Sequence, residues 1–245
     1  MRGALSAVAV LAALAAVAAP APARPAHLAG ASAPAHVTRA APSVEMMIVG
    51  RTRTLLGART VRLAAAKVTV GRRRCSVVAG TAIAGLAAAR LPLRLTDAGG
   101  CDPASLFVVR VGPDANRGQA GWEYKVDHVA PSLGAGDPGG RLRASQRLLW
   151  FWCTSANSCQ RTLDVVPSTR TVAPGAFVTV RVRGYDSNGH GQGVSGATVQ
   201  LGSASALSGA GGSVTLRAPS AAGVYVLSAR KAGLVPSFPL RVRVS

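Results

Sequence analysis

The sequence predicts a mainly β protein: a small α+β domain with one helix, followed by a β-sandwich. Three observations predict it. Short segments that alternate polar and apolar residues recur along the chain, as in Val178-Thr179-Val180-Arg181-Val182. One stretch only, Ala82 to Arg90, carries helix signals at both ends. Residues 167–245 then hold short strand-like runs separated by Gly- and Ser-rich turns, the spacing of a sandwich.

The chain begins with an address. Met1-Arg2 is a positive n-region, Ala4 to Ala19 is a short apolar run, and Ala21-Pro22-Ala23 supplies small residues for cleavage. Residues 1–23 read as a secretory signal peptide. A membrane anchor would need roughly 20 consecutive apolar residues, and Pro20 interrupts this run. Residues 24–42, rich in Ala and Pro with few large apolar groups, read as a disordered linker. The expected location is extracellular or wall-associated, with no transmembrane segment in the mature chain.

From Ser43 the pattern changes. Val44 to Val49 reads as a strand, and Arg59 to Leu63 and Lys67 to Val70 alternate as half-buried antiparallel strands do. Cys75 to Val78 continues the pattern. Thr81 is the N-cap of a helix whose apolar stripe is Ile83, Leu86 and Ala87, and Pro92 stops it. Leu106 to Val111 is a strand, and a Gly/Pro/Asn turn leads into Gly121-Trp122-Glu123-Tyr124-Lys125-Val126. Leu148 to Cys153 follows as an aromatic strand, apolar on both faces, so it is either covered twice or covered once with an aromatic platform on view.

All three tryptophans lie in these two strands. Trp122, Tyr124, Trp150 and Trp152 are the ligand-binding candidates, because flat aromatic faces stack on sugars, planar rings or a partner's apolar edge; the competing reading makes them core. Glu123, Lys125 and Asp127 share the other face of their strand, as an ion-paired solvated row or, less simply, a pair of acids for hydrolysis.

Four cysteines, Cys75, Cys101, Cys153 and Cys159, fit an oxidising compartment. Three pairings exist in principle; Cys75–Cys101 with Cys153–Cys159 is expected, since each loop closes locally. A zinc site would prefer Cys-x2-Cys pairs or nearby His, and neither occurs. No metal or other cofactor is expected.

Charge is the strongest compositional signal: 28 Lys+Arg against 9 Asp+Glu, a formal net charge of +19. Such a surface accumulates on anionic polymers in a salt-dependent way. Arg72-Arg73-Arg74 is the tight basic patch, read first as a solvated turn between strands and only second as a dedicated binding patch. No nucleic-acid-binding signature accompanies the charge. Neither His128 nor His190 sits in a nucleophile motif. Asp186-Ser187-Asn188-Gly189 opens like a calcium loop but lacks the downstream bidentate Glu, so it reads as a turn.

With Gly121 to Val126 and Leu148 to Trp152 in view, the segment from about Val44 to Val165 resembles the transcobalamin C-terminal-like domain. The resemblance implies a small β-grasp-like α+β fold and a cobalamin-like small ligand near Trp122, Tyr124, Trp150 and Trp152. Three departures stand out: Ala144-Ser145-Gln146 replaces the usual Gly-Asp turn, the helical barrel that supplies the other half of the carriers' ligand cleft is not found, and the Cys153–Cys159 segment is extra. Gly193-Val194-Ser195-Gly196-Ala197-Thr198-Val199 resembles bacterial immunoglobulin-like and carboxypeptidase-regulatory-like domains, which implies a spacer or attachment module. In residues 167–245 Asp186 is the sole acid and Lys231 the sole lysine, a poor basis for an isopeptide cross-link.

The sequence thus predicts domains at 43–166 and 167–245. The expected function is that of a secreted, non-catalytic surface module that binds envelope polymers or a partner protein. A cobalamin-like carrier and an extracellular hydrolase are the alternatives.

Overall fold

The structure, a computed structural model, describes residues 40–155 and 158–245. The expected signal peptide and nearly all of the linker lie outside the described residues. The fold is mainly β, as the sequence predicts, with one α-helix among the described residues.

The first part runs β1 (Ser43–Val49), β2 (Thr54–Arg62), β3 (Ala66–Val70), β4 (Arg73–Val77), α1 (Ala82–Ala89), β5 (Leu93–Asp97), β6 (Leu106–Val111), β7 (Asp114–Ala115), β8 (Gly121–Val126) and β9 (Arg147–Cys153). Its main sheet has the order β2-β1-β9-β8, with β1 and β9 parallel and the other pairs antiparallel. Two small sheets, β3-β4 and β5-β6-β7, complete it.

Helix α1 starts where Thr81 Oγ1 accepts from the N–H of Ala84, and ends at Arg90 in the left-handed region, φ 58°. It is enclosed more fully than a single stripe implies: Ala82, Ala84, Gly85 and Ala89 are buried with Ile83 and Leu86, while Ala87 is only partly so. The reason is close approach to the sheet. A Cβ at Gly85 would come within 2.9 Å of both the Leu148 Cδ2 and the Met46 Sδ.

The second part comprises β10 (Thr162–Pro167), β11 (Thr171–Val172), β12 (Phe177–Tyr185), β13 (Gly191–Gly193), β14 (Thr198–Leu201), β15 (Ala204–Leu207), β16 (Ser213–Arg217), β17 (Gly223–Arg230) and β18 (Leu240–Val244). Strand β12 pairs with β10 along one edge and with β13 and β16 along the other. The second sheet has the order β11-β18-β17-β14-β15, with β11 parallel to β18. Their inner faces meet around Val180, Val182, Leu201, Leu227 and Val242, all fully buried. The alternation works as the sequence implies, since Thr179, Arg181 and Arg183 on β12 and Arg241 and Arg243 on β18 are exposed. Strand β10, at the end of the segment read as α+β, is hydrogen-bonded into the sandwich.

Strand β9 is covered on both faces. Leu148, Trp150 and Trp152 join the core beneath α1, together with Met46 and Ile48 of β1. Leu149, Phe151 and Cys153 pack with Met47 and Val49 against Val235 and Phe238 from the β17–β18 connection. A strand flanked by two neighbours and two apolar layers has no reason to alternate, which explains its unbroken apolar run.

Candidate functional site

The aromatic strands organise the first part, and they do so from inside. Trp122, Tyr124, Trp150 and Trp152 are all buried, at 1–9% exposure. Each of the three mapped polar handles donates to a nearby carbonyl: Trp122 Nε1 to Asp114 O (2.8 Å), Tyr124 OH to Leu133 O (2.9 Å) and Trp150 Nε1 to Ala82 O (3.2 Å). The hydroxyl of a buried Tyr and the ring N–H of a buried Trp usually find such partners. Across β8 and β9 the rings pair, Trp122 edge-on to Trp152 with centroids 5.9 Å apart and Tyr124 tilted on Trp150 at 5.1 Å. Burial pushes the Tyr124 hydroxyl up to about 12, helped by the charges of Glu123 and Asp137. An open aromatic platform is therefore not what these four residues form; they form a core whose edge borders a cleft.

That cleft, about 630 Å³, lies beside β8 and is lined by Phe107, Glu123, Tyr124, Pro131 and Leu133 among others. The free side of β8 is partly closed by side-chain and loop contacts. Asn116 Oδ1 accepts from the N–H of Trp122 at 3.2 Å while Asn116 Nδ2 donates to Val108 O, and the N–H of Val126 donates to Val129 O. Glu123 faces the cleft, and burial raises its carboxyl above its ordinary range.

Its expected row-mates behave differently. Lys125 is fully buried rather than solvated. Its Nζ donates to Asp186 O at 2.7 Å, to Tyr185 O at 3.0 Å and to Thr162 Oγ1 at 3.4 Å, and lies 5.8 Å from the Phe151 ring centroid. Burial pushes its pKa down to about 8, against the pull of Asp186 and with the push of Arg161. Asp127, just past β8, accepts instead from the N–H of Arg147 and from Gln146. The three thus form neither a solvated ion-paired row nor a juxtaposed acid pair.

Around Lys125 the sandwich is fastened to the first part by further polar contacts. The His128 ring stacks on Tyr185 at 3.8 Å, and its Nε2 lies 3.5 Å from Asp164. Arg147 reaches both Glu45 (3.1 Å) and Asp164 (3.5 Å) and covers the Phe238 ring at 5.4 Å. The backbone bond from Ala130 N to Ser187 O completes the seam. Sequence reasoning missed this seam. The available signal was a lysine set between Tyr124 and Val126, whose neighbour in space is set by distant residues.

The basic triplet divides. Arg72 is in the turn between β3 and β4, and Arg74 is exposed on β4. Arg73 Nη2 is held by Asp97 at 2.8 Å. Asp97 also accepts from the N–H of Gly99 and of Cys101 and from the Ser105 hydroxyl; these bonds and Arg73 hold its carboxyl below the ordinary range. The disulfides are Cys75–Cys101 and Cys153–Cys159, the nearest-neighbour pairing. Among the described residues, the grouping close enough to hold a cation is Cys75, Asp97 and Cys101; its sulfurs are bonded to each other and offer no thiolate.

Asp186-Ser187-Asn188-Gly189 is a closed turn, with Asp186 Oδ1 accepting from the N–H groups of Asn188 and His190 at 2.9 Å each. Lys231 donates to Ser195 O at 2.6 Å.

The sandwich faces carry the uncompensated charge. Arg170, Arg181, Arg183, Arg217, Arg230, Lys231, Arg241 and Arg243 are all exposed. The carboxylates of residues 162–245 are Asp164 and Asp186, the first engaged by Arg147 and His128, the second by its own turn. No helix among the described residues is long and apolar enough to cross a membrane. Comparison with protein-family models, with curated proteins and with solved structures found no match.

Proposed function

We propose that the protein is a secreted, non-catalytic module that adheres to anionic polymers of the cell envelope, with the sandwich as attachment unit. The observation that carries this reading is the exposed arginine on both outer sheet faces of the sandwich, Arg181, Arg183 and Arg217 on one and Arg241 and Arg243 on the other, with its two carboxylates already engaged. Arginine forks suit phosphate and carboxylate oxygens, and rigid strands hold them at fixed spacing. Two disulfides are compatible with an oxidising compartment. The test is retention of residues 24–245, produced with disulfides formed, on immobilised linear polyphosphate and polygalacturonate across a salt gradient. Retention that falls steeply with salt, and none on neutral dextran, supports the reading; equal retention on dextran or none anywhere overturns it.

A second reading, a small-ligand binder of the cobalamin type, draws on the cleft of about 630 Å³ beside Tyr124, a size suited to a ligand. It is tested by incubation with cobalamin and cobinamide, desalting and a visible spectrum. A band near one per chain supports it, and a clean protein spectrum removes it.

A further inference from the structure

Trp152, next to last in β9, lies at two neighbouring clefts, of about 540 and 490 Å³, which share Arg51, Trp152 and Thr154 as walls. The first is flanked by Arg117, and the second by Arg53 and Arg230. Together they make one trough crossing from the first part onto the sandwich. Four arginines border it, all exposed, and no Asp or Glu lines either cleft among the described residues.

The arginines come from three turns or strand ends, each locally fixed. Arg51 and Arg53 sit in the β1–β2 turn, closed by the bond from Gly50 N to Arg53 O at 2.8 Å. That turn is docked on β7, where Asp114 Oδ2 accepts from the N–H of Arg51 at 2.9 Å, and a Cβ at Gly50 would collide with the same carboxylate oxygen. Arg117 begins the β7–β8 turn, closed by reciprocal bonds with Ala120. Arg230 ends β17. Thr154 and Gln160 brace the rim: Gln160 Nε2 donates to Trp152 O and its Oε1 accepts from Thr154 N. Among the described residues, none of the four guanidinium groups lies within 4.0 Å of a carboxylate. The nearby acid, Asp114, has already turned an oxygen to backbone.

A concave, acid-free channel between low-dielectric walls concentrates positive potential more than a flat arginine face does. Its cations lie on separate elements around two tandem clefts instead of converging on one point. That arrangement matches a string of oxyanions and not a single anion. Every polar group offered by the arginine side chains is a donor, which suits phosphate or carboxylate oxygens.

We propose that this trough, bordered by Arg51, Arg53, Arg117 and Arg230 over Trp152, binds one segment of a flexible polyanion whose charges are closely spaced phosphates or carboxylates. The inference rests on the polymer-adhesion reading and adds to the arginines of the sandwich faces a tighter site at the junction of the two parts. Binding there touches both parts at once, so a bound chain stabilises their union.

The test compares two triple variants of equal charge in residues 24–245: Arg51→Glu with Arg117→Glu and Arg230→Glu in the trough, and Arg72→Glu with Arg74→Glu and Arg181→Glu outside it. Titration of each with linear polyphosphate and with polygalacturonate is followed by Trp fluorescence and by affinity at several salt concentrations. The trough variant loses at least tenfold more affinity than the outside variant, and the slope of log affinity against log salt falls by about 2. Binding confined to polyphosphate assigns phosphate as the ligand charge, and binding confined to polygalacturonate assigns carboxylate. Equal losses in both variants overturn the trough while leaving general adhesion standing. Failure of the wild-type protein to bind either polymer overturns both. Since the substituted residues are exposed, unchanged thermal midpoints in both variants confirm that the comparison reads binding.

Discussion

The Lys125 ammonium donates to the main-chain oxygen of Asp186 across 2.7 Å, joining residues sixty-one apart in sequence. A fully buried cation held by two carbonyls and a hydroxyl is a costly way to make a contact, and its cost depends on pH. In the unfolded chain Lys125 stays protonated up to its ordinary 10.5; in the folded chain it releases its proton near 8. Between these values the unfolded state binds more protons, so stability rises with pH. Tyr124 works the other way, keeping its proton to about 12 when folded against 10.0 when not, so its contribution is lost as pH climbs above 10.

Thermal or urea unfolding is therefore expected to show stability climbing by about 1 kcal/mol per pH unit from 8 to 10 and then falling. Lys125→Met removes the climb and leaves the fall. A wild-type profile flat from pH 8 to 10 contradicts the burial of a titrating Lys125.

Asp97 gives the complementary acid-side prediction. Its carboxyl is held below the ordinary range, first by the Gly99 and Cys101 N–H groups and then by Ser105 and Arg73. Its contribution is complete above the ordinary carboxylate range and is lost as pH falls through the folded value. Asp97→Asn is expected to lower stability at pH 7 and to reduce the wild-type loss between pH 4 and pH 2, read by urea midpoints at each pH.

Gly85 tests the packing of α1. In an exposed helix, Gly→Ala stabilises by about 1 kcal/mol. Here the added methyl lies within 2.9 Å of Leu148 and Met46 in a filled core. Gly85→Ala is expected to destabilise by about 1–3 kcal/mol, and Gly85→Ala with Met46→Ala to recover part of that loss.

The disulfides differ in the loop they close, with sequence separations of 26 and 6. Replacing both cysteines by alanine is expected to cost about 3.5 kcal/mol for Cys75–Cys101 and about 2.4 for Cys153–Cys159. Urea denaturation of the two double variants measures this, and a larger loss at Cys153–Cys159 contradicts the loop-entropy account.

What was legible in the sequence was whatever one strand or one loop decides alone. The Val/Arg alternation of β12 and β18 follows from one face meeting the core and one meeting water. Thr81 and Pro92 bracket the helix, and local closure selects the disulfides. What a second part of the chain decides was not legible. Lys125 has the spacing of a solvent-facing residue, yet its neighbours are Tyr185 and Asp186. The aromatic strand could be core or platform until Val235 and Phe238 covered its far face and the ring donors found their carbonyls. Strand β5 offers a single buried residue, Leu95, too little pattern to announce it. The arginine trough is read from no motif, since its members come from three distant segments.

The parallel pairing of β1 with β9, and of β11 with β18, has a mechanical consequence. A tensile load applied between Ser43 and Ser245 pulls β1 out past β9 along their common axis, because the far end of β9 leads toward the sandwich. The same geometry governs β18 against β11. In both parts the strands that meet the load are sheared, so their cross-strand bonds must break together instead of unzipping one by one. For a chain loaded between these two ends, rupture is set by the unfolding rate and not by the equilibrium stability.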